Sequence, residues 1–189
     1  MPKIKLSQAF LEKENKMEES SGLKIKLYGD PVLRKIAKPV GRITDAHRQI
    51  LKEMAETMYD DSGIGLAAPQ VGISAQLIVL DIGEGLYKLV NPKIVKRQGR
   101  QSISEGCLSV PGVSIKVKRA KRVWVQAKDE NNCLIEIEAK DLFACVLQHE
   151  IDHLKGKLIL DYASFLQKLR IKRKLAILKT KVKTCKLLF

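Results

Sequence analysis

The chain has 189 residues, 45% of them hydrophobic, which is enough for one substantial core, and no Pro-, Gly- or Ser-rich linker divides it. No apolar run approaches membrane-spanning length, the opening residues lack a secretory h-region, and Glu12, Glu14, Glu18 and Glu19 argue against an organellar transit peptide. With a net charge of +14 and four cysteines that show no framework spacing, the chain is expected to be a basic cytoplasmic protein with reduced thiols and no membrane or DNA partner.

Residues 1–22 are rich in Lys and Glu, and Lys3-Ile4-Lys5-Leu6 returns as Lys24-Ile25-Lys26-Leu27; the segment reads as a charged, flexible extension. Asp30-Pro31 to Val40 reads as irregular or strand-like. Thr44 then offers an N-cap for a helix with Ile50, Met54 and Met58 on one face, stopped by Asp61-Ser62-Gly63. Strand-like runs follow at Gln76 to Ile82, at Leu86 to Val95 with a break at Asn91-Pro92, at Val113 to Val117 and at Val123 to Ala127. Asp129 to Asn132 forms a hairpin turn into Leu134 to Ile137, so the strands are antiparallel.

A helix is expected from an Asp141 N-cap to a Gly156 C-cap, with Leu142, Val146, His149 and His153 on its core side. Strands preceding a central helix, with a further helix at the end, predict an α+β fold: antiparallel sheets around that central helix. The main domain spans 23–163. Residues 164–189 form a basic amphipathic helix, because Ile171, Leu175, Leu178 and Val182 recur at helical spacing. From Tyr162 onward there are nine Lys or Arg and no Asp or Glu, leaving only +5 on the rest of the chain. Such a face suits a solvated surface or an electrostatic contact with a polyanion.

The most informative stretch is His149-Glu150-Ile151-Asp152-His153, which on a helix puts two imidazoles one turn apart with a carboxylate beside them. A catalytic metal site of this kind needs a third protein ligand and an open position for water. A downstream Glu, as in thermolysin-like proteases, is absent, and the position of a third metzincin His is held by Ile159. His47 lies at the start of the first helix, where a surface or capping role suits it better. Cys145 is about 12 Å along the helix from His153 and reads as a buried apolar thiol. Cys133 adjoins a polar turn and Cys185 lies in the basic tail, so Cys107 is the best ligand by elimination. Its setting, Glu105 to Gly112, combines a reactive side chain with small residues that admit a ligand.

Three segments in order, Gly63-Ile64-Gly65-Leu66-Ala67-Ala68-Pro69-Gln70, Glu105 to Gly112 and Gln148 to Gly156, closely resemble the motifs of the peptide deformylase family. The resemblance runs from about Lys24 to Asp161, in the manner of the compact bacterial members. It implies a metallohydrolase that removes the formyl group from nascent chains beginning with formyl-methionine. It also implies one divalent ion on Cys107, His149 and His153, usually Fe²⁺, with Zn²⁺, Ni²⁺ or Co²⁺ able to take its place. Glu150 would serve as general base and then acid. The Gln70 side-chain amide and the Leu108 backbone N–H would steady the oxyanion. Backbone around Ile64 and Gly65 would pair with an extended peptide, and Gly63, Glu105, Gly106 and the side of His149 would border the methionine pocket. With that activity, the polyanion for the basic tail becomes ribosomal RNA. Arg119 is the expected partner of Asp152. Asp141, where the family commonly has Gly, the Asn131-Asn132 turn and the N-terminal extension depart from the family pattern.

Overall fold

The computed structural model describes residues 22–187, so the 1–22 extension and its Lys3 to Leu6 repeat lie almost wholly outside the described residues, as does the Cys185 side chain. Asp30 caps a 3-10 turn, Pro31–Arg34, by accepting from the Val32 N–H at 3.1 Å. Helix α1 covers Asp45–Asp60. Its start at Thr44 is fixed by His47, whose ring Nδ1 accepts from the Thr44 N–H at 3.2 Å, the capping role expected of that residue.

Seven strands follow: β1 Gly65–Ala67, β2 Leu77–Leu80, β3 Tyr87–Gln98, β4 Gln101–Glu105, β5 Ile115–Arg119, β6 Arg122–Lys128 and β7 Leu134–Lys140. They form an antiparallel five-stranded sheet in the order β1-β2-β3-β6-β7 and a separate pair, β4-β5. Helix α2 covers Asp141–Leu154 and helix α3 covers Phe165–Leu187. The architecture is the expected α+β arrangement of antiparallel sheets around one central helix.

Strand β2 shows why its sequence is an unbroken apolar run. Ile78 and Leu80 pack with Ala144, Leu147 and Ile151 of α2, while Leu77 and Val79 pack with Leu51, Met54 and Met58 of α1. A strand covered on both faces has no position for a polar residue. Burying side chains of this size stabilises the fold by about 1.5–3 kcal/mol each. In a third cluster, Leu178 with the half-buried Ile171 and Leu175 seats α3 against Val110, Val113, Ile115 and Val117, so three of the four residues of the predicted stripe dock there.

Four details differ from the sequence reading. The expected break at Asn91-Pro92 is a bulge within one long strand: the β3-β6 register shifts between Val90 and Lys93, and Asn91 has φ 52. The Asn91 side chain there bonds both backbone groups of Val40, at 2.8 and 2.7 Å. Asp141 is not a side-chain cap. Its N–H is held by the Lys121 carbonyl at 2.9 Å and its own carbonyl by Gln101 at 2.8 Å, which fixes it at φ 50 with the carboxylate turned to solvent. That left-handed conformation is costly for most residues but open to Gly, Asn and Asp. Leu142 does not face the core; it sits in the first turn of α2 beside a cleft and is 47% exposed. Strands β1 and β4 have no counterpart in the sequence reading.

Candidate active site

Three chain segments meet at one cleft of about 660 Å³. The turn after α1 and strand β1 supply one wall, the residues from the end of β4 to Gly112 a second, and α2 the third. The spacing His149 to His153 on α2 places the two rings edge to face, with centroids 4.9 Å apart and Nε2 atoms 3.2 Å apart. Cys107 Sγ lies 3.3 Å from His153 Nε2, and the three potential donor atoms all fall within 4.8 Å of one another. Metal bonds of 2.0–2.3 Å at tetrahedral angles separate donors by about 3.3–3.5 Å, so the spacing suits a single small cation. Two imidazole nitrogens and a thiol sulfur turned toward one point are also mutually repulsive when unprotonated, and a cation relieves this.

Electrostatics around the cluster are set by burial and pairing. Burial pulls the His149 imidazole down, but hydrogen bonding to Cys107 and Glu105 outweighs it and raises the ring well above its usual value; a proton and a cation compete for that nitrogen. Burial and the neighbouring His149 charge hold His153 well below its usual value, which keeps it neutral. His149 Nδ1 is 2.9 Å from Glu105 Oε2, an arrangement that turns Nε2 toward Cys107 and His153. Glu105 is itself held by Arg119 at 2.7 and 2.9 Å, and Arg119 reaches Asp152, the partnership expected from the sequence. Cys145 is buried as expected but is not simply an apolar thiol, since it donates to Glu105 Oε1 at 3.0 Å.

Glu150 lines the cleft with its side chain out of contact with bulk water. Among the described residues its Oε2 has no hydrogen-bond partner, and burial pushes the carboxyl up to about 7 against the pull of His149. It has room because residue 65 is glycine: an added Cβ there would overlap Glu150 Oε1 and come within 3.0 Å of Val146 Cγ1. Gly63 is equally constrained, since its Cβ would lie 2.8 Å from Leu108 Cδ1. Gln70 is 1% exposed and aimed by its own loop, its Oε1 accepting from the Ala67 N–H at 2.8 Å. Its Nε2 is thereby turned toward Ser109 Oγ at 3.4 Å and Cys107 Sγ at 3.6 Å. The remaining predicted residues, Ile64, Gly65, Gly106 and Leu108, all border the same cleft, whereas His153 sits behind it at 1% exposure. Sequence reading missed the ionic chain from Glu105 outward to Tyr162, which donates its O–H to Asp152 at 2.6 Å. No local motif signals it, because its members lie on β4, β5, α2 and the 3-10 turn Ile159–Tyr162.

A cysteine sulfur and two imidazoles brought together at a cleft, with a buried carboxyl group beside them, are the equipment of a mononuclear hydrolytic metalloenzyme. Residues 23–169 match the family model of polypeptide deformylase. A peptide deformylase of Caldanaerobacter subterraneus subsp. tengcongensis is 53% identical over 137 residues, covering 72% of this chain and 86% of that protein. One from Alkalilimnicola ehrlichii is 46% identical over 157 residues, covering 81% and 88%. Among solved structures, a peptide deformylase from Legionella pneumophila superposes with a TM-score of 0.80 at 44% identity, covering 85% of this chain and 96% of that one. A Synechococcus elongatus peptide deformylase in complex with actinonin gives 0.78 at 45% identity, covering 80% and 85%. The chain belongs to the polypeptide deformylase family, metalloenzymes that hydrolyse N-formyl-methionyl peptides.

Proposed function

We propose that this chain removes the N-formyl group from formyl-methionine at the start of nascent polypeptides, releasing formate. Cys107, His149 and His153 would hold one divalent ion, Fe²⁺ in the cell and Zn²⁺, Ni²⁺ or Co²⁺ as substitutes, which supplies Lewis acidity for the attack of water on the formyl carbonyl. The observation that carries the reading is Glu150: a buried carboxyl group, pushed up to about 7, whose Oε2 has no hydrogen-bond partner among the described residues, next to the Cys107, His149 and His153 cluster.

Glu150 accepts the proton of the attacking water as the C–O bond forms, and returns it to the departing amine as the C–N bond breaks. The oxyanion that forms in between is steadied by the Gln70 Nε2 donors and the Leu108 N–H. Peptide lies extended along Ile64 and Gly65, adding a strand at the edge that β1 offers. Gly63, Glu105, Gly106 and the side of His149 border the pocket for the methionine side chain. Residues 23–163 act as the catalytic unit. Formate should appear on incubation with formyl-Met-Ala-Ser and not with its acetylated counterpart; metal-loaded protein that yields no formate would overturn the assignment.

Helix α3 carries Lys168, Arg170, Lys172, Arg173, Lys174 and Lys179, all exposed; Lys174 donates to the Gly112 carbonyl at 2.8 Å and Lys179 lies over the Tyr28 ring, so these two flank the seam on which the helix is seated. This charge supports docking on ribosomal RNA, and with it action in the cytoplasm, where nascent chains emerge. No helix among the described residues is long and apolar enough to cross a membrane. Replacing Lys168, Arg170, Lys172 and Arg173 with Gln should weaken salt-sensitive cosedimentation with ribosomes; unchanged binding would contradict it.

A further inference from the structure

We propose that Tyr162 is a positioning residue for His149, acting through a chain of buried ionic contacts, an inference that rests on the reading of Cys107, His149 and His153 as metal ligands. The chain begins at the ring nitrogen that faces away from Cys107 and His153: His149 Nδ1 lies 2.9 Å from Glu105 Oε2. Both oxygens of Glu105 are gripped by Arg119, through Nε at 2.7 Å and Nη2 at 2.9 Å. The remaining arm of Arg119, Nη1, meets Asp152 Oδ2, and Tyr162 donates its hydroxyl to that same oxygen at 2.6 Å.

Tyr162 does more than end the chain. Its ring centroid lies 4.8 Å from the Arg119 guanidinium carbon, so the aromatic face covers the cation while the hydroxyl fixes the cation's outer partner. Exposure rises outward, from 7% for Glu105 and 6% for Arg119 through the half-buried Asp152 to 38% for Tyr162. Tyr162 is therefore where water gains access. Without its ring and hydroxyl, solvent competes for Asp152 and for the open face of Arg119, and the contacts that set the Glu105 carboxylate weaken as the local dielectric rises. Glu105 in turn fixes the tautomer and rotation of His149, the outer-partner role that most strongly tunes a ligating histidine.

The test is release of Co²⁺ from the loaded full-length chain to a chromogenic chelator, followed in time for the wild type, Tyr162→Phe, Tyr162→Ala and Tyr59→Phe. Tyr59 is the matched control: it donates to Asp81 at 2.7 Å, is 50% exposed, and belongs to neither the ionic chain nor the ligand cluster. Release should be about 10-fold faster in Tyr162→Ala, faster by a smaller factor in Tyr162→Phe, which keeps the ring, and unchanged in Tyr59→Phe. Release from Tyr162→Ala at the wild-type rate, or equal acceleration in Tyr59→Phe, would overturn the proposal while leaving the metal site intact. Should the alanine variant fail to fold, wild-type release from the near-isosteric Tyr162→Phe would overturn it. A wild-type chain that takes up no Co²⁺ would overturn the metal-ligand reading and this inference with it.

Discussion

Replacing Arg119 with Met preserves much of the side-chain volume but strands two carboxylates. Glu105, whose side chain is 5% exposed, loses bonds of 2.7 and 2.9 Å, and Asp152 loses its cation. Breaking one member of a buried ion pair typically costs about 3–5 kcal/mol, because the remaining charge stays desolvated. A second route gives a similar figure. Burial alone would raise the Glu105 carboxyl, yet the hydrogen bonds from Arg119 and His149 outweigh it and hold the group at about 2, against 4.5 for an unpaired side chain. That difference corresponds to about 3 kcal/mol for all its partners together, with Arg119 the largest contributor and His149 and Cys145 supplying the rest. The folded-state value is depressed, so the contribution is complete above a pH of about 4.5 and is lost as pH falls toward about 2. Urea denaturation of the wild type and Arg119→Met, compared at each pH so that acid effects elsewhere cancel, should show a gap of about 3 kcal/mol at neutral pH that narrows toward about pH 3. A gap below about 1 kcal/mol at neutral pH, or one independent of pH, would refute the reasoning.

Gly156→Ala should lower stability by about 2 kcal/mol or more in the same assay, since residue 156 has φ 68 and its Cβ would lie 2.5 Å from the Arg34 carbonyl oxygen. Gly65→Ala should lower stability by about 1–3 kcal/mol in that assay and reduce kcat by at least about 10-fold, because the added methyl crowds Val146 and displaces the Glu150 carboxylate. Gln70→Ala should reduce kcat by about 10²–10³-fold with KM little changed, as expected for a donor that acts on the oxyanion rather than on bound peptide. Steady-state kinetics on a formylated tripeptide separates the two parameters.

The features legible in the sequence are those encoded by local periodicity. His149 and His153 share a helix face because four residues make about one turn, and the α3 stripe docks for the same reason. Cys107 emerges because other candidates are placed badly, and the structure brings it to both imidazoles. Strand β4 is not legible: Gln101 to Glu105 offers one apolar side chain, Ile103, and becomes a strand through its register with β5. Leu142 is misread because the stripe it shares with Val146 and His149 lines the cleft, while Phe143 and Ala144 of the same turn take the core positions. Arg119 and Asp152 can be paired from the sequence as a hypothesis, but the links to Glu105 and Tyr162, 14 and 10 positions away from their partners, join four different elements and exist only through the tertiary fold.

The most direct test of the account compares Co²⁺-loaded wild type with Glu150→Gln, measuring bound metal and formate released from formyl-Met-Ala-Ser on the same samples. The account predicts full metal occupancy in both and a loss of about 10²–10⁴-fold in turnover for the variant, because Glu150 moves the proton and does not hold the ion. Turnover that survives the substitution, or activity lost only in step with lost metal, would contradict it.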